Sequence, residues 1–261
     1  MTNDDVKIFY ETHGKPENQP IIFVNGYSAS TVTWCRQLDF FVQHDFYVIT
    51  FDHRSHGKSQ NVDFGLTLHR LAADLAELIA HLQLKNVLLV GHSMGAATIM
   101  AYEELFTDEN LMAIITEDQA PTFIKSDDWS DGKFGRNLSD LTAFIDEFPR
   151  TKLTQKQLSD DVKRELGKGM LPFDFKRYRT LLQNVILQDW RANLTKENKP
   201  HLFLAGGNSP IFSPLHAESA RNLQSNPQSE SLIFEGCGHI LHLEDEEKFN
   251  QTVLAFYQKL K

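Results

Sequence analysis

The stretch Val87–Leu105, VLLVGHSMGAATIMAYEEL, decides the fold. An apolar run, Val87–Val90, leads into Gly91-His92-Ser93-Met94-Gly95 and then into a segment of helix formers. This is G-x-S-x-G in a strand–turn–helix setting, where a sharp turn holds a serine in a strained backbone and exposes its hydroxyl. Glycines two residues before and two after Ser93 remove side chains that would collide with the strand and helix. The amide of Met94, at the start of the helix, then points toward whatever Ser93 attacks and can stabilise a developing oxyanion. A plain Gly-Ser turn before a helix is the competing reading of five residues alone; the flanking strand and helix argue for a nucleophile.

Working outward, short apolar runs alternate with helical patterns. Val6–Thr12, Ile21–Val24, Tyr47–Phe51, Val87–Val90, Met112–Thr116, His201–Ala205 and Ser231–Phe234 read as strands, most of them continuously apolar. Such runs suit a parallel sheet covered on both faces. Leu68, Leu71, Ala72, Leu75, Leu78, Ile79 and Leu82 share one helical face, as do Phe249, Val253, Phe256, Tyr257 and Leu260. Ser213-Pro214 reads as an N-cap followed by a first-turn proline. The expected fold class is α/β, a mostly parallel, twisted central sheet flanked by helices, with binding at the carboxyl ends of the strands.

The alternation stops between Pro121 and Asn198, where helix-like stretches at Ser139–Phe148, Thr154–Leu166 and Phe173–Asn193 follow one another with no strand pattern. Residues 121–198 are therefore expected to be an inserted helical cap, and residues 1–120 and 199–261 the core. The 261-residue length suits one such domain. A net charge of −9 argues against nucleic acid and anionic membrane as partners. Two cysteines do not build a disulfide framework, and neither Cys35 nor Cys237 has an elbow around it. No apolar run reaches the roughly 20 residues of a membrane span, and the acidic start MTNDDVKIFY lacks an apolar signal region, so a cytoplasmic location is expected. The histidines show no convincing metal-ligand spacing, and neither a metal nor an organic cofactor is expected.

From about Val6 to Thr116 and from His201 to the end, the chain resembles the α/β-hydrolase superfamily. FVNGYSAS matches the loop that supplies the second oxyanion amide, and the resemblance assigns that amide to Tyr27, with Asn25 where a histidine is common. YVITFDHRSHGKS matches the stretch after the next strand, where Asp52, His53, Arg54 and His56 are expected to be structural. FEGCGHILHLE joins the last strand to the last helix. Its Gly236 and Gly238 shape a loop that presents His239, where the family places its catalytic histidine. His242, three residues on, is the competitor, with helix-start packing its expected job. His216 is expected to be an ordinary surface or packing residue.

The acid is the difficulty. In most members it follows the penultimate strand, but that loop here is GGNSP, with Ser209 in the expected place and no carboxylate near it. A neutral hydroxyl cannot replace a charge whose loss costs roughly 10⁴-fold in the serine-protease case. The preceding strand, in MAIITEDQAP, ends in Glu117-Asp118. Adjacent strands lie about 4.8 Å apart, so a carboxylate one strand earlier can still reach the imidazole. The D-Q-x-P stretch, followed by a Trp-containing segment, resembles an esterase- and haloperoxidase-like subgroup with serine in the later loop. Asp118 is the expected acid and Glu117 the reserve. Strand alternation turns the two to opposite sides.

These residues imply a serine hydrolase that cleaves a small carboxylic ester through an acyl-enzyme on Ser93, with His239 as base and Asp118 as acid. Asn25, Phe123, Trp129 and Phe144 are candidate substrate contacts, although aromatic residues at helical spacing also build a cap's own core. The alternatives are perhydrolase, cofactor-free haloperoxidase or acyl-transfer activity on the same three residues, and a catalytically silent binding protein on the same fold.

Overall fold

A computed structural model describes residues 1–134 and 138–261. The strands are β1 (Tyr10–His13), β2 (Gln19–Val24), β3 (Phe46–Phe51), β4 (Val87–His92), β5 (Leu111–Glu117), β6 (His201–Gly206) and β7 (Glu230–Phe234). The α-helices are α1 (Leu38–Gln43), α2 (Leu68–His81), α3 (Met94–Phe106), α4 (Leu138–Glu147), α5 (Asp160–Gly169), α6 (Arg179–Ile186), α7 (Arg191–Leu194), α8 (His216–Leu223), α9 (Leu241–Glu244) and α10 (Glu246–Lys259). The strands form one sheet in the order β1-β3-β2-β4-β5-β6-β7, with β1 antiparallel to β3 and every other pairing parallel.

The continuous apolar runs are explained by cover on both faces. Every residue of β3, β4 and β6 is buried, whereas the edge strands β1 and β7 are mostly half-buried. On one face Leu71, Leu75, Met100 and Ala217 of α2, α3 and α8 pack against Ile22, Ile49, Leu89 and Ile114. On the other, Phe41, Phe249, Val253 and Phe256 of α1 and α10 pack against Phe23, Val48, Leu88 and Ile115. The chain runs from β2 outward to β3, then returns across β2 to begin β4. The loops after β2 and β4 diverge at this switch point, where an open α/β sheet places its binding site at the strands' carboxyl ends.

Three expectations shift. The first strand begins at Tyr10 and not at Val6. Upstream of it the backbone of Lys7 and Phe9 bonds to Gln60, Ser59 and Asp52. The Ser213 hydroxyl accepts from the Leu215 amide and its carbonyl from His216, which makes a turn just ahead of α8 in place of a cap on its first residue. The inserted segment keeps its helical character, but Thr154–Leu166 is helical only from Asp160. Ser159 caps it by accepting from the Val162 amide. Gln155 and Lys156 stay outside the helix, with their amides committed to the Glu244 carboxylate. Phe173–Asn193 divides into α6 and α7 where Trp190 N–H donates to Pro121 O and Asp189 bridges Thr122. Among the described residues, no helix is long and apolar enough to cross a membrane.

Candidate active site

Ser93 sits between β4 and α3 with φ 52° and ψ −121°, a left-handed backbone that a non-glycine residue adopts only under constraint. The constraint is steric. A Cβ on Gly95 would lie 2.1 Å from the Val24 carbonyl oxygen, and one on Gly91 2.7 Å from the Ala96 nitrogen. The elbow also hangs from the neighbouring strand, since Ser93 N–H donates to Glu117 O at 2.9 Å. The Met94 amide opens α3, and the Tyr27 amide lies in the loop after β2. Among the described residues neither amide has a protein acceptor, so both are free for an oxyanion.

The loop bearing Tyr27 is braced from below. His53 Nε2 bonds the Asn25 carbonyl at 3.1 Å, and Asn25 Nδ2 donates to Ala29 O at 3.1 Å. The Asn25 side chain therefore holds its own loop. Asp52 accepts from the Thr31 and Lys58 amides, His56 Nδ1 bonds Arg54 O, and Arg54 is buried on Asp74 and Asp4. These bonds are structural, in keeping with the sequence.

Asp118 follows β5 with φ 46°, fully buried. Its Oδ2 lies 2.5 Å from His239 Nδ1 and accepts from Ser209 Oγ at 2.6 Å, while Oδ1 accepts from the Gly206 amide at 2.9 Å. Burial opposes its ionisation, but the imidazoles of His216 and His239 outweigh burial and hold the carboxyl well below the usual carboxylate range. His239 is pinned through its backbone. Its N–H donates to Leu153 O at 2.7 Å, and its carbonyl bonds His92 Nε2 at 2.9 Å. The His92 and His239 rings stand 4.7 Å apart, which sets the imidazole against the elbow. With Nδ1 committed to Asp118, Nε2 is the nitrogen left for another partner.

Glu117 turns the other way. Its carboxylate meets His242 Nδ1 at 2.8 and 2.9 Å, and His242 stacks on Trp34 with centroids 4.0 Å apart. Burial raises Glu117 to about 7 and lowers His242 to about 3, working against the charged form of both. His92 is likewise lowered to about 3 by burial. The competitor histidine thus has a different carboxylate, on the opposite side of the strand end.

Phe123, Trp129 and Phe144 are nearly buried within the insertion. Phe123 packs on Phe212 and Phe144, Phe144 on Phe148, and Arg191 lies over the Trp129 ring. They belong to one apolar cluster with Tyr27 and Met94. Sequence reasoning missed two residues. His216, read as ordinary, is buried with Nε2 at 3.6 Å from Asp118 Oδ1. Glu244, given no role, accepts from the Gly238 amide next to His239. Neither carries a local motif, because both act through the close approach of separate loops.

Residues 21–252 match the model of the alpha/beta hydrolase family, and the chain belongs to that family. It is 31% identical to the bifunctional esterase/perhydrolase DCH of Acinetobacter calcoaceticus, over 98% of this chain and 97% of the relative. It is 27% identical to the non-heme chloroperoxidase CPO-A1 of Kitasatospora aureofaciens, over 99% of this chain and 98% of the relative. Among solved structures, an esterase from Exiguobacterium antarcticum superposes with a TM-score of 0.87 at 22% identity, covering 98% of this chain and 97% of that one.

Proposed function

We propose that the protein hydrolyses a small carboxylic ester through a covalent acyl-enzyme, with Ser93 as nucleophile, His239 as general base and Asp118 as the acid of the triad. The observation that carries this reading is the 2.5 Å contact between Asp118 and the His239 imidazole, whose loop is held at the serine elbow. Ser93 Oγ attacks the acyl carbonyl while His239 Nε2 takes the hydroxyl proton, and Asp118 stabilises the imidazolium. The amides of Tyr27 and Met94 bind the tetrahedral oxyanion, each worth about 10²–10³-fold in turnover. Collapse expels the alcohol, which takes its proton from His239. Water, deprotonated by the same imidazole, then attacks the acyl-enzyme and releases the acid and free Ser93. These steps use only groups of the chain and water.

The insertion serves as the cap. Its aromatic cluster, continuous with Tyr27 and Met94 and including Phe123 and Phe144, suits an apolar acyl group. A second reading is favoured by relatives named for perhydrolase and chloroperoxidase activity. In it, hydrogen peroxide replaces water at the acyl-enzyme and a peracid leaves. A silent binding protein fits poorly, since nothing in mere ligand binding calls for a buried acid held on a histidine beside a strained serine.

Labelling with a fluorophosphonate, parent against Ser93→Ala, tests the reading. Labelling that persists without Ser93, or is absent from the parent, would sink it. Partition of an aryl ester's acyl group between water and added peroxide separates the two acceptor readings.

A further inference from the structure

Glu244 closes α9 with its side chain buried, five residues past the proposed base, and takes no part in the steps above. Backbone amides from two separate segments converge on its carboxylate. From the base loop, the Gly238 amide donates to both oxygens at 2.9 and 3.0 Å and the Ile240 amide to Oε1 at 3.3 Å. From the insertion, the Gln155 and Lys156 amides donate to Oε2 at 2.6 and 2.8 Å. Between these donors His239 N–H donates to Leu153 O. The fit is tight, for a Cβ on Gly238 would lie 2.4 Å from that same Leu153 oxygen. The Lys156–Asp245 ion pair beside it is half-exposed and adds little.

We propose that Glu244 is a positioning residue, fastening the Leu153–Lys156 strap of the insertion to both flanks of His239 so that the seating of the insertion sets the aim of the imidazole. The proposal rests on the acyl-enzyme reading above. Hydrogen bonds from amides to a carboxylate are charge-assisted, and the amides preceding and following His239 share one acceptor. Turning the base loop away from Ser93 therefore means breaking bonds on both of its sides and at Leu153. Glutamine cannot substitute, since it offers one acceptor oxygen and turns an N–H₂ toward amide donors. Substrates that displace the strap will disturb the base, and a seated strap aligns it, so turnover depends on how the insertion rests even where it does not touch the acyl group.

The test compares the parent, Glu244→Gln and Gln155→Pro, the last removing one strap donor and leaving the carboxylate in place. Each is assayed for kcat and KM on a short-chain aryl ester and for its rate of inactivation by a fluorophosphonate. In Glu244→Gln, kcat and the inactivation rate are expected to fall together by about tenfold to a hundredfold, the scale of a slight misplacement of reacting groups, with KM changed by less than about threefold. Should Glu244→Gln not accumulate as folded protein, Gln155→Pro is read by the same criterion, with about a threefold loss expected. A folded variant with parent turnover and inactivation, or a loss carried by KM alone, overturns the proposal. A parent that fails to label at Ser93 overturns the acyl-enzyme reading and this proposal with it, a result distinguished by appearing before any substitution is made.

Discussion

Ser209 Oγ donates to Asp118 Oδ2 at 2.6 Å. The serine that stands where most relatives of this fold are expected to place an acid is thus bonded to the carboxylate proposed for that task on the neighbouring strand. The β5–β6 pairing, with Glu117 opposite Leu204, brings the two loops together. Asp118→Asn is expected to lower kcat/KM on an aryl ester by about 10³–10⁴-fold, since an amide favours the wrong tautomer of His239. Ser209→Ala removes one donor to a charged group and should cost about tenfold at most. The reverse ranking in steady-state assays would move the acid's role to the Ser209 loop.

Tyr27 offers a clean separation of backbone from side chain. Its hydroxyl donates to Tyr178 O at 3.2 Å, and its ring packs on Phe148 and Phe173, while the proposed oxyanion donor is its amide. Tyr27→Phe should keep turnover within about threefold and lower stability by about 1 kcal/mol. A hundredfold loss of kcat with normal folding would assign the oxyanion contact to the hydroxyl instead.

Two glycines are held by close backbone approach. A Cβ at Gly95 would meet Val24 O, and one at Gly206 would lie 1.7 Å from Gly238 O. Neither obstacle is a flexible side chain. Gly95→Ala should destabilise by about 3 kcal/mol or prevent folding. Gly206→Ala should push the Gly238–His239 loop away and slow fluorophosphonate labelling, with a smaller fall in melting temperature than Gly95→Ala. Parent-like labelling and stability in both variants would contradict the packing described.

Burial sets groups of opposite sign against each other as the pH falls. Burial lowers His53, His92 and His242 from 6.5 to about 3, and His56 from 6.5 to about 4. The unfolded chain therefore binds these protons first, and stability falls as pH drops below 6.5. Glu117 has the opposite sign. Raised from 4.5 to about 7 by burial, it contributes stability that is present below 4.5 and lost as pH rises through 7. Burial raises Glu103, Asp52 and Asp74 in the same sense, so the difference between variants carries the prediction: between pH 6.5 and 4.5 the free energy of unfolding should fall more with acid in Glu117→Gln than in the parent, in denaturant titrations. An identical pH dependence in the two would show that burial does not raise Glu117.

The elbow around Ser93, the parallel sheet and the loop that carries His239 were legible in the chain. Each depends on local chemistry: glycines around a strained serine, apolar runs covered on both faces, and a loop after the last strand. Glu117-Asp118 could be read as a strand end with two carboxylates on opposite sides, and the structure gives one to His239 and the other to His242.

What sequence alone determined, then, is a set of elements and the chemistry each carries, because sterics and periodicity act between near neighbours. Tertiary structure alone decided which of those groups meet. Asp118 and His239 are 121 positions apart, and Glu244 reaches back 89 positions to Gln155. Strand order and register set the first of those meetings, as they set the approach of His216 to Asp118, and the second keeps Gln155 and Lys156 out of the helix their sequence suggests. No local pattern records them, since the amides of Gln155 and Lys156 choose a distant carboxylate over the bonds of their own helix.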